Sequence, residues 1–247
     1  YHELQLVPLQ LEDDAAFADA KARVRDTPLP LPVMSYLFPH DLRLVGADVH
    51  EARARAYFER VVALMDAAGT KLVVFGSGWT RNVPEGFDPQ QAEDQLLHAL
   101  AWCAEALAPI GATLVIEPLN KKESNQCNSV AEGVRLARAT GLANVGSLAD
   151  FYHVDEEHEP FDALREFGAV EGFVVVLAHR ADRVVIGLKG LDHDAAGCGA
   201  ASGASRHLRQ QLERALGCPE VGEPQSYVGR DHANERHARK IMPFRNH

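Results

Sequence analysis

Several short stretches of this chain are apolar along most of their length instead of at every second residue. They are "LPVMSYLF" (31–38), "KLVVFGSG" (71–78), "ATLVIEPL" (112–119), "NVGSLAD" (144–150) and "GFVVVLAH" (172–179). A strand with one solvated face alternates apolar and polar residues, whereas a strand buried on both faces does not. Burial on both faces needs a parallel sheet covered by helices. This one pattern therefore excludes sandwiches and helical bundles and leaves the α/β class.

The intervening segments supply the helices. "LEDDAAFADAKARVRD" (11–26) carries acids early and basic residues late, as the helix dipole prefers. "DVHEARARAYFERVVALMDAAG" (48–69) is amphipathic and stops at Gly69. Asp88 and Pro89 read as N-cap and first helical residue of the segment 88–111. Ser129 and Glu132 have capping-box spacing at the head of 129–141. "EPFDALREFG" (159–168) is a further helix, and "YHELQL" (1–6) is a short opening strand. Repeated strand-then-helix units predict a TIM barrel or a doubly wound sheet. The barrel fits better, because polar residues gather where strands end. Beyond about residue 184 the signal weakens. "VVIGLKG" (184–190) is a strand candidate, "SGASRHLRQQLERALG" (202–217) a helix candidate, and the stretch from Cys218 onward has no clear strand.

Two of the strand ends carry bare acids, Glu117 and Asp150, and His153 follows the second by three residues. Carboxylates and an imidazole from adjacent strand ends converge readily on one divalent cation. Each acid taken singly has a structural alternative as a helix cap or an arginine partner. Glycine-rich "GSGW" (76–79) is too short for a dinucleotide fingerprint and suits close approach of backbone to substrate or to an adjoining strand. Trp79 fits a sugar face, the core or a subunit contact. Asp192, His193 and Asp194 form a second acid–histidine group, for which a solvated loop is the plainer reading.

With 247 residues, 46% of them hydrophobic, the chain suffices for a single domain over 1–247. A net charge of −10 without a basic cluster argues against nucleic acid. Cys103, Cys127, Cys198 and Cys218 show no CxxC pair and read as reduced thiols. No apolar run approaches the ~20 residues of a membrane span, and no signal peptide is expected from the opening residues. The expected location is cytoplasmic, with no membrane partner.

"VFGSGWTRNVPEGF", "IEPLNKKESNQCNSVAEG" and "LADFYHVDEE" resemble the sugar phosphate isomerase/epimerase family, whose fold is the xylose isomerase-like TIM barrel. Its branches include ketose 3-epimerases, hydroxypyruvate isomerases and inosose dehydratases. The resemblance covers roughly residues 1 to 170. It implies a TIM (β/α)8-type barrel that here lacks the first β/α unit and has a divergent C-terminal part. It also implies a divalent ion (manganese, magnesium, cobalt or zinc) held by Glu, Asp, His and Glu from four strands. Glu117 resembles the first ligand and Asp150 the second, and their gap of 33 residues (150 − 117) suits the family. His153 is similar to the histidine that touches a substrate oxygen, and Glu123 to a substrate-contacting acid. Asn120 and Asn125 are weaker matches, with loop hydrogen bonding as the alternative. Straight alignment sets Val176 where the ligand histidine belongs. His179, three residues on, takes that place only if the strand end shifts. Glu213, Glu220 and Glu223 are candidates for the fourth ligand.

The resemblance implies an enzyme, a metal-dependent isomerase or epimerase that removes a proton next to a carbonyl of a small sugar. Glu117 is the expected base. The alternatives are a keto-polyol dehydratase of the same family and a non-catalytic or impaired sugar-binding barrel. The expected partner is a small sugar, with a homo-oligomer possible in principle.

Overall fold

The computed structural model describes residues 3–160, 173–179 and 182–188. The strands are β1 (Glu3–Gln5), β2 (Val33–Ser35), β3 (Leu72–Phe75), β4 (Thr113–Ile116), β5 (Val145–Asp150), β6 (Phe173–His179) and β7 (Asp182–Leu188). They lie in chain order across one sheet, and β1 to β6 run parallel. Stepping always to the next neighbour, with helices between, is the winding of a barrel. A doubly wound sheet reverses its strand order instead.

The helices are α1 (Asp14–Asp26), α2 (Glu51–Ala68), α3 (Gly78–Arg81), α4 (Pro89–Leu107), α5 (Val130–Ala139) and α6 (Phe151–Glu156). The expected caps form. Asp88 accepts from Gln91 N–H at 2.8 Å, and Ser129 accepts from Glu132 N–H at 3.2 Å. Glu132 Oε2 accepts from Asn128 N–H, one residue ahead of the cap. Gly69 closes α2 in the left-handed region at φ 69°.

Strands β2 to β5 are buried on both faces, and their two-residue period sorts the side chains into two clusters. Met34, Val73, Phe75, Leu114 and Ile116 pack outward with Phe58, Val61, Leu64, Leu96 and Leu100 of the helices. Val33, Leu72, Val74, Val115 and Leu148 form a separate cluster made of strand residues alone, which is the barrel interior. The same parity puts Gly76, Glu117 and Asp150 on the interior side, each two residues past a member of this cluster, Val74, Val115 and Leu148.

The structure departs from the sequence expectation in three places. First, β7 does form, but antiparallel to β6. Only residues 180 and 181 lie between the two strands. A parallel connection needs a crossover of a dozen or more residues, so a two-residue link permits only reversal. Second, a short helix, α6, starts directly after Asp150. Third, the chain leaves β2 at Ser35, and Tyr36 sits at φ 52° where a continuing strand was expected. The helices expected at 159–168 and 202–217 fall almost wholly or wholly outside the described residues. So do the group around His193 and the side chains of Val176 and His179. Among the described residues, no helix is long and apolar enough to cross a membrane.

Candidate active site

Glu117 follows β4, Asp150 ends β5 and His153 lies in α6. The three offer ligating atoms that all lie within 4.8 Å of one another. Asp150 is 6% exposed and His153 8% exposed, whereas Glu117 is half-buried. The two carboxylates at this spacing match the oxygen donors that a divalent cation accepts, and the imidazole stands beside them.

Asp150 has two duties. It is the N-cap of α6, accepting from Tyr152 N–H at 2.8 Å, and it is a member of the cluster. The capping role and the site role, alternatives at the level of sequence, occur together. Starting α6 at this acid brings His153 back beside it within one turn.

His153 is oriented from the β4 loop. Its Nδ1 accepts from the Asn120 backbone N–H at 3.1 Å and from Asn120 Nδ2 at 2.9 Å. The Asn120 amide cannot be turned over, because Oδ1 accepts from Lys122 N–H and Nδ2 also donates to Glu123 Oε1. With two donors on Nδ1, the neutral ring carries its proton on Nε2, which makes that atom a hydrogen-bond donor. Asn120 itself is fully buried.

The loop after β4 is fixed to the loop after β3. Asn82 Oδ1 accepts from Ser124 Oγ and Asn125 N–H, and Asn125 exchanges bonds with both Val83 N–H and Val83 carbonyl. Asn125 thus takes its backbone-bonding alternative. Gly78 lets the two loops touch: a Cβ there would sit 2.8 Å from Leu119 Cδ1 and 2.9 Å from the Glu123 carbonyl. Lys121 and Lys122 pair with Glu157 and Glu156, tying the same loop to the end of α6. Beneath it lies Arg81, fully buried, donating from Nη1 to the Phe75 carbonyl at 3.1 Å and from Nη2 to the Glu117 carbonyl at 2.6 Å. Burial pulls this guanidinium below its ordinary range, and the negative charge of Glu117 is among the influences opposing that shift.

Trp79 stands beside the rim in an aromatic group. Its ring stacks on His40 at 3.8 Å between centroids, and Tyr36 meets it edge-on at 5.1 Å. Tyr36 Oη bonds His40 Nε2 at 2.9 Å, and Trp79 Nε1 donates to the Phe38 carbonyl. Sequence reasoning missed Tyr36, His40 and Arg81, and it read a close approach at 76–79 without its partner, which at Gly76 is the Glu117 side chain. "LPVMSYLF" reads as unbroken strand, and no spacing marks Arg81 as buried.

The backbone register fixes the far side. Asp150 pairs with Val176, and His179 lies three residues further, opposite Asp182 of β7. Three residues of strand are roughly 10 Å.

Comparison with known proteins gives the following. A family model described as the xylose isomerase-like TIM barrel matches residues 2–208. The D-psicose 3-epimerase of Agrobacterium fabrum is 29% identical over 126 residues, covering 49% of this chain and 43% of that protein. The 3-dehydro-D-guloside 4-epimerase of Escherichia coli is 24% identical over 149 residues, covering 57% and 56%. The chain thus spans about half the length of these curated relatives. The crystal structure of a D-allulose 3-epimerase from Methylomonas sp. superposes with a TM-score of 0.60 at 18% identity, covering 72% of this chain and 62% of that one, a likeness of fold.

Proposed function

The chain belongs to the xylose isomerase-like TIM barrel family, and from that premise we propose that it acts on a small sugar or keto-sugar as an isomerase or epimerase. The reaction removes and returns a proton on the carbon next to a carbonyl. The observation that carries this reading is the meeting of Glu117, Asp150 and His153 at one point on the interior rim. Relatives named as 3- and 4-epimerases support the same reaction type.

Glu117 and Asp150 would hold a divalent ion, with His179 as a further ligand only if the end of β6 shifts toward the rim. Such an ion supplies Lewis-acid polarisation of the substrate carbonyl. The protein's own groups do the rest. The Glu117 carboxylate takes the proton from carbon. His153 Nε2–H donates to the substrate oxygen that gains negative charge. Glu123, held by Asn120 at the loop edge, contacts the substrate, and Glu117 itself or a second acid returns the proton. Asn120 keeps His153 in the donor tautomer, which is how it serves the substrate.

The test is solvent exchange. Glu117→Gln keeps the side chain's volume and removes its basicity, so the protein folds while deuterium uptake at the ketose carbon drops by about 10²–10⁴-fold. Uptake at the unmodified rate would rule Glu117 out as the base. One observation favours a second reading. Val176, not an imidazole, is the register partner of Asp150, as in a barrel that binds sugar with impaired or no turnover. A keto-polyol dehydratase shares the first proton removal and is told apart by its product.

A further inference from the structure

Gly76 is the residue after β3, level with Glu117 on the neighbouring strand, because Phe75 pairs with Ile116 one rung earlier. Its backbone does not call for glycine. Unlike Gly46, Gly69, Gly86, Gly111 and Gly141, it lies outside the left-handed region. What it provides is room. A Cβ built on Gly76 would overlap Glu117 Oε2 and lie 3.0 Å from Cδ and 3.5 Å from Cβ of the same side chain. The Glu117 carboxylate therefore rests on the bare Cα of Gly76. The strand ends on which both residues sit are tied together. Phe75 carbonyl accepts from Glu117 N–H at 3.1 Å and from Arg81 Nη1, while Arg81 Nη2 takes the Glu117 carbonyl. Neither strand end can drift without breaking a bond from the fully buried guanidinium to the Phe75 or Glu117 carbonyl.

We propose that Gly76 is a positioning residue for the reaction: its missing side chain is the seat of the Glu117 carboxylate, and Arg81 holds that seat in register. The seat rests on geometry alone, and its catalytic consequence rests on the function proposed above. A methyl group at position 76 meets one specific obstacle, a carboxylate head. Its effect must therefore depend on whether Glu117 is present.

Two double-mutant cycles test this. In the first, thermal unfolding is compared for the unmodified protein, Gly76→Ala, Glu117→Ala and the double variant. Gly76→Ala lowers Tm when Glu117 is present and loses most of that effect in the Glu117→Ala background. Equal losses in both backgrounds overturn the seat, as does failure of Gly76→Ala to fold in both. Failure to fold only with Glu117 present supports it. In the second cycle, manganese affinity is measured by calorimetry alongside deuterium uptake. Gly76→Ala lowers affinity by about 10–100-fold, as displaced outer-shell supports do. Glu117→Asp draws the carboxylate back from the seat, so it costs less on top of Gly76→Ala than alone. Simple multiplication of the two losses, or unchanged manganese affinity in Gly76→Ala, overturns the positioning role. An unmodified protein that neither binds manganese nor exchanges deuterium defeats the function reading. The first cycle then still decides the seat.

Discussion

At the scale of single residues, the chain protects its chemistry by burial and by fixed hydrogen bonds. Asn120 shows this best, because every polar atom of its side chain has a partner and two of those partners are His153 and Glu123. Its importance was visible in "EPLN" only as a resemblance. The inward orientation depends on contacts 33 residues away in sequence, which no local pattern carries. The cysteines lead to a prediction with a definite pH dependence. Burial pushes the Cys127 thiol from its ordinary 9.0 up to about 11, and Cys103 is raised by burial as well. At pH 8 the raised value leaves roughly a hundredfold less thiolate on Cys127 than an ordinary thiol would have, and only the thiolate attacks. Peptide mapping after treatment of the native protein with an alkylating reagent should find Cys103 and Cys127 unmodified up to about pH 9, and modified after denaturation. Labelling of Cys127 in the native protein at pH 8 would refute this.

At the scale of elements, what was legible in the sequence was whatever a local signal controls. The double-sided burial of β2 to β5, the caps at Asp88 and Ser129 and the glycine stop at Gly69 all stand where the residues put them. The exceptions share a cause. The short helix α6 spans Phe151–Glu156, too few residues to show a helical period. The left-handed turn at Tyr36 is held by contacts to His40 and Trp79 rather than by a turn residue. The direction of β7 follows from link length, not from its composition. The β5–β6 register gives the element-scale prediction. Because Asp150 pairs with Val176, a histidine at that position adds a nitrogen donor beside two carboxylates. Val176→His should raise manganese or cobalt affinity by about tenfold or more, and zinc or cobalt should gain most, since imidazole suits them. Calorimetric titration of both forms checks it. Tight one-to-one binding by the unmodified protein would show that another residue already fills that place.

At the scale of the whole molecule, the sheet separates stability from chemistry. The outward cluster joins strands to helices, and the interior cluster leads up to the acids. The family and barrel class were readable because they rest on repeated units. The region after residue 184 was not, because neither period nor cap repeats there. Binding of an ion at the rim should stabilise the entire fold by mass action. At a hundredfold excess over Kd the gain is about 2.7 kcal/mol, or roughly 5–10 °C in Tm for a chain of this size. Manganese should therefore raise Tm in the unmodified protein, a chelator should reverse the rise, and Asp150→Asn should abolish it. A Tm indifferent to manganese up to millimolar concentration would count against a metal at Glu117 and Asp150.

The reversal at β7 can be put as a rule of parity. Each parallel unit from β1 to β6 ends at the rim that holds Glu117 and Asp150, and β7 sets out from that rim, where Asp182 pairs with His179. Running back over seven residues, β7 delivers the chain at Leu188 to the opposite rim, roughly 20 Å away. For a later acid such as Glu213, Glu220 or Glu223 to serve as a ligand, the chain would have to cross back from there an odd number of times. The acid must then stand at the finish of an element running with β6, or at the outset of one running against it. Any proposal for the missing ligand is thereby restricted to half of the places a strand could offer.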